Sequence, residues 1–435
     1  MKILVVGSGG REHAILWALQ KTSPRPLDLY CAPGNAGIAQ VARCVSIPPT
    51  DTGALTEFAK SEAIDLTFVG PEAPLAAGMV DEFERNELTI VGPSAAAARL
   101  EASKGFAKEF MARHAIPTAH FKIAESAAEA FGILASGEFG PPDAPVVVKA
   151  DGLAAGKGVV VAPSRSVAQD AVRELVAGSI VGPQAAERIV IEEALRGKEV
   201  SLLLFCDGRD YALMPAARDH KRIGEGDTGP NTGGMGAITD KSVLDADLLA
   251  RIAREIVEPT LAGAREEGFP FRGVLFIGLM LTGDGPRVLE YNVRFGDPET
   301  QAILMRLRTD LSEIFSAMAH GTLADINLEW TNESSACVVL ASGGYPGKYE
   351  SGARIDGLGA ATDDDRIQIF HAGTARSVSG GWSTAGGRVV GVTATGEDLS
   401  EALDRSYRAI SNIRWPGMQY RRDIGRFRPE PPPLV

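Results

Sequence analysis

Three side chains that could bind a metal ion and an anion alternate along one short segment. Residues Val288–Arg294 alternate apolar and polar types, which is typical of a β-strand. Because alternate strand residues face the same side, we expect Glu290, Asn292 and Arg294 to share a face. Carboxylate and amide oxygens suit Mg²⁺, and a guanidinium can hold a carboxylate or a transferring phosphoryl group. A solvated edge strand is the alternative, but this combination of side chains favours a site.

A glycine-rich loop with a lysine at each end follows another apolar run. It reads KADGLAAGKG from Lys149 to Gly158. A Walker A motif is excluded, because three residues rather than four separate Gly152 from Gly156 and no Ser or Thr follows Lys157. The sequence instead predicts a strand, a glycine flap and a returning strand, with both lysines lying across a polyphosphate. An ordinary hairpin with solvated lysines is the alternative, but such hairpins have shorter loops.

A first glycine turn joins the N-terminal apolar run to a helical stretch. A dinucleotide fingerprint would need glycine at position 12, where the chain has Glu12, and no ribose-binding acid ends the second apolar run. We therefore expect an anion at the helix N-terminus, bound by Gly9, Gly10 and Arg11. A tight turn without a ligand is the alternative.

A third glycine-rich segment extends from Asp219 to Gly236 and contains six glycines. A long structureless loop inside a compact domain is usually functional or disordered. We expect this segment to form a lid that closes over a substrate.

The apolar runs of the first hundred residues indicate how these segments are positioned. Each run ends in a Gly/Pro turn and is followed by a helical stretch, which indicates buried parallel strands in a doubly wound sheet. Ligands of such sheets bind at the carboxyl ends of the strands. The runs are Ile3–Val6, Leu27–Cys31, Asp65–Val69 and Thr89–Val91, and the turns that follow contribute Gly9–Arg11, Asn35 and Gly70-Pro71-Glu72.

Composition restricts the partners. The 435 residues include 44 Lys and Arg against 56 Asp and Glu, a net charge of −12, which argues against nucleic acid or an anionic membrane as the main partner. No apolar run approaches the roughly 20 residues that span a bilayer. The four cysteines are scattered, so we expect reduced thiols and a cytoplasmic protein.

Taken together, these motifs resemble those of the phosphoribosylamine–glycine ligase (glycinamide ribonucleotide synthetase) family within the ATP-grasp superfamily. The resemblance extends from residue 1 to about residue 425, with the motifs in the order of the family. They are GSGGREHA, APGNAG, VGPEAPL, KADGLAAGKGVVV, DHKRIGEGDTGPNTGGMGA and LEYNVRFGDPE.

The resemblance implies an α/β fold with three domains. These would be an N-terminal doubly wound parallel-sheet domain, an ATP-grasp domain with a mobile subdomain, and a small C-terminal α/β domain. The implied boundaries are 1–101, 102–327 with the subdomain at about 118–194, 328–427, and a tail at 428–435.

The resemblance also implies the reaction. ATP, with Mg²⁺ or Mn²⁺, would activate glycine as glycyl phosphate, and 5-phosphoribosylamine would attack it to give glycinamide ribonucleotide, ADP and phosphate. This is the second step of de novo purine biosynthesis. We expect a monomer, with a dimer as the alternative.

The implied site residues fall into four groups. Arg294 and Lys157 would be catalytic, and Glu290 and Asn292 would bind the metal. The ATP contacts would be Lys104, Lys149, Lys157, the hinge Glu192, Glu193, Ala194 and Leu195, and the ribose-facing Glu199. Lys108 is the alternative to Lys104. The substrate contacts would be Gly9, Gly10, Arg11, Asn35, Gly70, Pro71, Glu72, Asp219, Lys221 and Asp297.

Other functions remain open at this stage. Within the superfamily, another carboxylate–amine ligase or a carboxylase acting on a different acid is the alternative. An NAD-dependent oxidoreductase is suggested only by the first glycine turn. The presence of Glu290, Asn292 and Arg294 on one strand face argues against a non-catalytic nucleotide sensor.

Overall fold

The structure, a computed structural model, describes residues 1–154, 158–178, 186–359, 364–377 and 380–426 of the chain. Lys157 and the expected tail at 428–435 lie outside these ranges. No helix among the described residues is long and apolar enough to cross a membrane.

The N-terminal part folds into a parallel sheet with strand order β3–β2–β1–β4–β5. Leu4 and Val6 pack into one core and Ile3 and Val5 into another, so β1 is buried on both faces. This confirms the predicted doubly wound sheet. The elements are β1 (Lys2–Gly7), α1 (Gly10–Thr22), β2 (Asp28–Pro33), a 3₁₀ turn (Ile38–Gln40), β3 (Arg43–Cys44), α2 (Thr52–Ser61), β4 (Leu66–Val69), α3 (Glu72–Ala76), α4 (Met79–Arg85), β5 (Ile90–Val91) and α5 (Ala95–Ala102).

The next part forms an antiparallel sheet with strand order β6–β9–β7–β8, and two helices pack against it. Its β7 and β8 are paired from Val146 opposite Ala162 to Lys149 opposite Val159, so the glycine flap does connect a strand to a returning strand. The elements are α6 (Lys104–Arg113), β6 (Phe121–Ala124), α7 (Ala127–Ala135), β7 (Val146–Ala150), β8 (Val159–Ala162), α8 (Arg165–Val176) and β9 (Ile189–Glu193).

A second antiparallel sheet, with order β11–β10–β16–β17, shares its cores with the N-terminal sheet. Leu275 and Ile277 of β16 join the core that contains Leu4. The elements are β10 (Lys198–Asp207), β11 (Tyr211–Leu213), β12 (Arg218–Asp219), β13 (Arg222–Gly224), β14 (Thr228–Asn231), β15 (Gly236–Thr239), α9 (Ala246–Ile252), a π-helical turn (Ala253–Val257), α10 (Glu258–Glu266), β16 (Arg272–Thr282), β17 (Gly285–Asn292), α11 (Glu299–Leu304), α12 (Leu311–His320) and a 3₁₀ turn (Leu323–Asp325).

The C-terminal sheet has the order β12–β15–β18–β23–β20 and therefore includes the two strands that border the glycine-rich segment 219–236. Helix α13 packs on β18 and β23, and the short strands β19, β22 and β21 form a separate sheet. The elements are β18 (Ser334–Ala341), β19 (Arg354–Ile355), β20 (Ile367–His371), β21 (Thr374–Arg376), β22 (Trp382–Thr384), β23 (Arg388–Gly396) and α13 (Leu399–Ile410).

The expectation that residues 219–236 lack structure is wrong. The segment contains the hairpin β13–β14, which is attached to the C-terminal part of the chain. Arg421 donates to the Arg222 carbonyl (3.1 Å) and pairs with Asp227 (2.7 Å), and the Asp423 carboxylate accepts from the Gly226 N–H (2.8 Å). These contacts come from residues almost 200 positions away, so the local composition does not reveal them.

Buried histidines fasten the C-terminal part to the rest of the chain as hydrogen-bond acceptors. His13 Nδ1 accepts from the His371 backbone N–H (2.9 Å), and His220 Nε2 accepts from the Gly425 N–H (3.1 Å). A protonated ring could not accept these bonds. Burial, with a contribution from His371, lowers the pKa of His13 to about 3, and burial together with Arg421 lowers the pKa of His220 to about 4.

We expect the free energy of unfolding to fall as the pH drops from about 6.5 towards 4, because the unfolded chain then binds protons that the folded histidines reject. Each unit of pKa difference corresponds to about 1.4 kcal/mol. Urea unfolding at several pH values measures this slope. His13→Asn, whose amide oxygen can accept the same bond, should flatten the slope, whereas exchange of the exposed His320 for Gln should not. An unchanged slope in the His13 variant would contradict the assignment.

Candidate active site

The predicted metal-binding pair lies at the end of β17, the strand that the alternating pattern predicted. Glu290 is opposite Gly278 of β16, and a Cβ at Gly278 would lie 3.3 Å from the Glu290 Cγ, so this glycine leaves room for the acidic side chain. Asn292 is the last residue of the strand. Both side chains are partly accessible, while Tyr291 between them is buried.

Arg294 follows the strand and is held by two carboxylates that come from distant parts of the chain. It donates to Glu101 (2.8 Å) and to Glu72 (3.3 Å). Two further bonds reach the Phe295 carbonyl and the Asn292 Oδ1 atom, both at 3.1 Å. The Asn292 amide is therefore oriented with its nitrogen away from Arg294. Four of the five N–H groups of Arg294 donate hydrogen bonds within the protein, so this arginine is the centre of an ion-pair cluster.

Burial and ion pairing act in opposite directions on the pKa values of this cluster. Glu101, whose second oxygen accepts from the Val293 N–H (2.7 Å), has its pKa raised by burial although Arg294 acts in the opposite direction. Burial alone would also raise the pKa of Glu72, but Arg294 and other contacts lower it overall. Burial alone would lower the pKa of Arg294, but the two carboxylates raise it. The arginine is therefore a permanent cation.

Several cations surround Glu290. Lys221 lies 3.9 Å from its carboxylate, and Lys149, Lys104 and Arg294 are near enough to affect it. Burial alone would raise the pKa of Glu290, but these cations lower it, so the carboxylate is ionised at neutral pH. Lys221 also pairs with Glu199 at 3.0 Å. One lysine thus bridges the acid expected to face ribose and the acid expected to bind metal.

The predicted ATP contacts lie on neighbouring elements. Lys104, whose pKa burial lowers, donates to the Gly152 carbonyl at the base of the flap (3.0 Å). Lys149 pairs with Glu192 (2.9 Å) and donates to the Leu289 carbonyl (3.2 Å). The side chain of Glu192 therefore points into the protein. Glu193, Ala194 and Leu195 are partly accessible where β9 leads to β10.

At the N-terminal turn, a neighbouring side chain already occupies part of the expected anion site. Glu12 accepts from the Gly9 N–H and from Arg11, both at 2.6 Å, and Arg11 also donates to the Phe295 carbonyl (3.2 Å). A Cβ at Gly70 would lie 2.2 Å from the Glu12 carboxylate, so this glycine makes room for that acid. The Gly9 N–H is therefore already capped by a side chain of the same turn. Glu12 is the third residue of α1, a capping position that the sequence could have indicated.

Some of the remaining predicted substrate residues lie near Asp297, and others contact neighbouring groups. A Cβ at Gly9 would be 3.7 Å from the Asp297 carboxylate, and one at Gly234 would be 2.9 Å from Asp219 and 3.2 Å from the Asp297 carbonyl. Burial and Glu299 raise the pKa of Asp219. Gly10 packs near Gln301, and Asn35 donates to the Ser8 and His371 carbonyls. Pro71 precedes the first turn of α3 and brings Glu72 to the Arg294 cluster.

The sequence reasoning missed three side chains in this region: Glu101, Glu299 and Arg388. Arg388, from the C-terminal sheet, pairs with the Asp297 carboxylate (3.0 Å) and donates to the carbonyls of Asp297 (2.8 Å) and Gly233. Glu299 accepts from Ser201 Oγ (3.0 Å). None of them has a local pattern that reveals its partner. Among the described residues, no three His, Cys, Asp or Glu side chains converge on a metal position.

The ion-pair cluster yields a stability prediction. Glu101→Leu removes one of the two carboxylates that hold the buried Arg294, and we expect it to lower the free energy of unfolding by about 3–5 kcal/mol. Urea unfolding measures the difference. Glu57→Leu, which breaks an exposed pair with Lys60, is the matched control and should change stability little. Equal effects of the two substitutions would contradict the cluster's role.

Comparisons with known proteins agree across the whole chain. Three family models match: the phosphoribosylglycinamide synthetase N domain at residues 1–101, its ATP-grasp (A) domain at 102–300, and its C domain at 335–427. The chain is 48% identical over 425 residues to the phosphoribosylamine–glycine ligases of Rhizobium meliloti and Brucella melitensis. The alignments cover 98% of this chain and 98% and 97% of those proteins.

Solved structures show the same similarity. The crystal structure of phosphoribosylamine–glycine ligase from Thermotoga maritima superimposes with a TM-score of 0.82 at 34% identity. The match covers 98% of this chain and 100% of that one.

Proposed function

This chain belongs to the phosphoribosylglycinamide synthetase family and is an ATP-dependent ligase that joins glycine to phosphoribosylamine, and we propose that the reaction occurs where β17 meets β7, β9 and the glycine-rich segment. The observation that carries this location is the pair Glu290 and Asn292, which lies among Lys104, Lys149 and Lys221. An ionised carboxylate beside several cations is suited to a metal-bound polyphosphate.

In the proposed reaction, a carboxylate oxygen of glycine attacks the γ-phosphorus of ATP. The bond to the β–γ bridging oxygen breaks, which releases ADP and leaves glycyl phosphate. The amine of phosphoribosylamine then attacks the activated carbonyl, phosphate leaves and a proton is lost. Both reactants of the first step are anions, so catalysis depends mainly on positioning and on cations.

We assign Glu290 and Asn292 Oδ1 as the ligands of the metal ion, Mg²⁺ or Mn²⁺. The donor set fits, because both are hard oxygen donors and the surrounding cations keep Glu290 ionised. A bound divalent ion would neutralise charge on the β- and γ-phosphates. Arg294 fixes the orientation of the Asn292 amide.

For ATP itself, we assign Lys149 and Lys104 to the phosphates and the backbone of Glu192, Glu193, Ala194 and Leu195 to adenine. Glu199 would accept from the ribose hydroxyls beside its pair with Lys221, since a carboxylate can accept several hydrogen bonds. Lys157 of the flap completes the phosphate contacts in this proposal and excludes water on closure, although it lies outside the described residues.

For the other substrates, we assign glycine to the surroundings of Arg294, Asp219, Lys221 and Asp297. Phosphoribosylamine would lie against the turns of the N-terminal sheet, whose predicted contacts are Gly9, Gly10, Arg11, Asn35, Gly70, Pro71 and Glu72. The proximity of Gly9 to Asp297 supports adjacent sites for the two substrates.

The biological setting is also a proposal. The four cysteines are free, which supports a reducing compartment such as the cytoplasm. We place the domain boundaries after residues 101 and 327. We also propose that the protein is a monomer, with a dimer as the alternative.

The assignment of the metal ligands can be tested by titration. Asn292→Ala should raise the Mg²⁺ concentration that gives half-maximal ADP formation roughly tenfold or more, because one of two protein donors is lost. A coupled ADP assay with both glycine and phosphoribosylamine present measures this, and ADP release should require both. Asn327→Ala, at an exposed asparagine, serves as the control. An unaltered Mg²⁺ titration in the Asn292 variant would rule out this ligand.

The flap lysine can be tested separately. Lys157→Ala should lower kcat on the order of 10²-fold, because a cation that stabilises the transferring phosphoryl group is lost. The thermal unfolding midpoint should not change. Steady-state kinetics beside a thermal melt would detect both effects, and wild-type turnover would refute the role of Lys157.

A further inference from the structure

A buried glutamate beside the proposed ATP site holds two lysines at once. Glu192 of β9 lies 3.0 Å from Lys108 of α6 and 2.9 Å from Lys149 of β7 through different carboxylate oxygens. The side chains of Lys108, Lys149 and Glu192 are only 2%, 7% and 2% exposed. We call these three residues the buried triad. With both lysines protonated and the glutamate ionised, the triad has a net charge of +1.

The two lysines have different surroundings. Lys108 also donates to the Thr118 hydroxyl (2.7 Å), which itself donates to the Val288 carbonyl (2.6 Å), so these contacts are internal. Lys149 also reaches the Leu289 carbonyl of β17, the residue before Glu290. Both lysines lie near enough to Glu290 to interact with its charge, but Lys149 also affects the pKa of Lys104, whose side chain lies at the base of the flap. Lys149 is thus the member that faces the proposed phosphate site, and Lys108 the member that does not.

The charge of Lys108 affects how strongly Lys149 can attract an anion. Glu192 orients Lys149, but a carboxylate paired with this lysine alone would cancel its charge and weaken its attraction for a polyphosphate. A second lysine on the same carboxylate restores the positive charge. Burial lowers the pKa of Lys108 to about 8 although Glu192 raises it, so Lys108 is still largely protonated at neutral pH.

We propose that Lys108 is a positioning residue that offsets the charge of Glu192, so that Glu192 can orient Lys149 towards the ATP phosphates without neutralising it. The proposal rests on the assigned role of Lys149 in ATP binding. It also distinguishes Lys104 from Lys108, since only Lys104 would meet the nucleotide.

Three substitutions test the charge balance, with ATP affinity measured by isothermal titration calorimetry at pH 7. Lys108→Met leaves Glu192 to neutralise Lys149 and should weaken ATP binding roughly tenfold or more, with the KM for glycine unchanged. Glu192→Gln keeps an oxygen acceptor for Lys149 but removes the negative charge, so it should weaken ATP binding less than Lys108→Met does. The double variant Lys108→Met/Glu192→Gln should recover affinity to within about threefold of the wild type.

The rescue distinguishes the proposal from a purely structural role, in which the double variant would bind ATP as weakly as Lys108→Met or more weakly. Lys122→Met, at an exposed lysine of β6 that pairs with Glu138, is the matched control and should bind ATP normally. If Lys108→Met does not fold, the double variant decides, since its net charge of +1 at these three positions equals that of the wild type. Affinity far below wild type in a folded double variant would overturn the proposal.

Lys149→Met separates this inference from the proposed function. If Lys149→Met binds ATP weakly while Lys108→Met binds it normally, the charge-balance role fails and the ATP site stands. If Lys149→Met binds ATP normally, the assignment of Lys149 itself is wrong and both proposals fall.

Discussion

Charge that is removed from water must be paired, and this constraint shapes the whole site. The enzyme has to present a cationic surface to ATP, yet these cations are partly or largely withdrawn from water where three parts of the chain meet. Each is therefore held by an acid: Lys149 by Glu192, Lys221 by Glu199, Arg294 by Glu101 and Glu72, and Arg388 by Asp297. The substrates that bring negative charge must replace or share these partners.

The same pairs join the domains. Arg294, at the end of β17, is bound by acids from α3 and α5 of the N-terminal part, and Arg388 of the C-terminal sheet is bound by Asp297. The glycine-rich segment is strand-forming and fastened by Arg421, so its position depends on the C-terminal part as well. A substitution far from the substrates can therefore alter the site by changing how the three domains meet.

Local patterns predicted much of this architecture. The apolar runs identified the parallel sheet, and the alternation from Val288 to Arg294 identified the strand that carries Glu290 and Asn292, because both features depend on neighbouring residues. Sequence could not predict that Glu101 binds Arg294 or that Glu192 turns inward between two lysines, since those partners are set by the tertiary fold. The hairpin within residues 219–236 was missed for the same reason, as its anchor is Arg421. Glu12 could have been recognised from its capping position.

The central claim is that ATP phosphates lie between Lys149 and a metal ion on Glu290 and Asn292. Crystals grown with Mn²⁺ and a non-hydrolysable ATP analogue, with anomalous diffraction recorded to locate manganese, test it most directly. We expect a manganese peak beside the Glu290 carboxylate and Asn292 Oδ1, with phosphate oxygens beside Lys149. Manganese and phosphates bound away from these residues would contradict it.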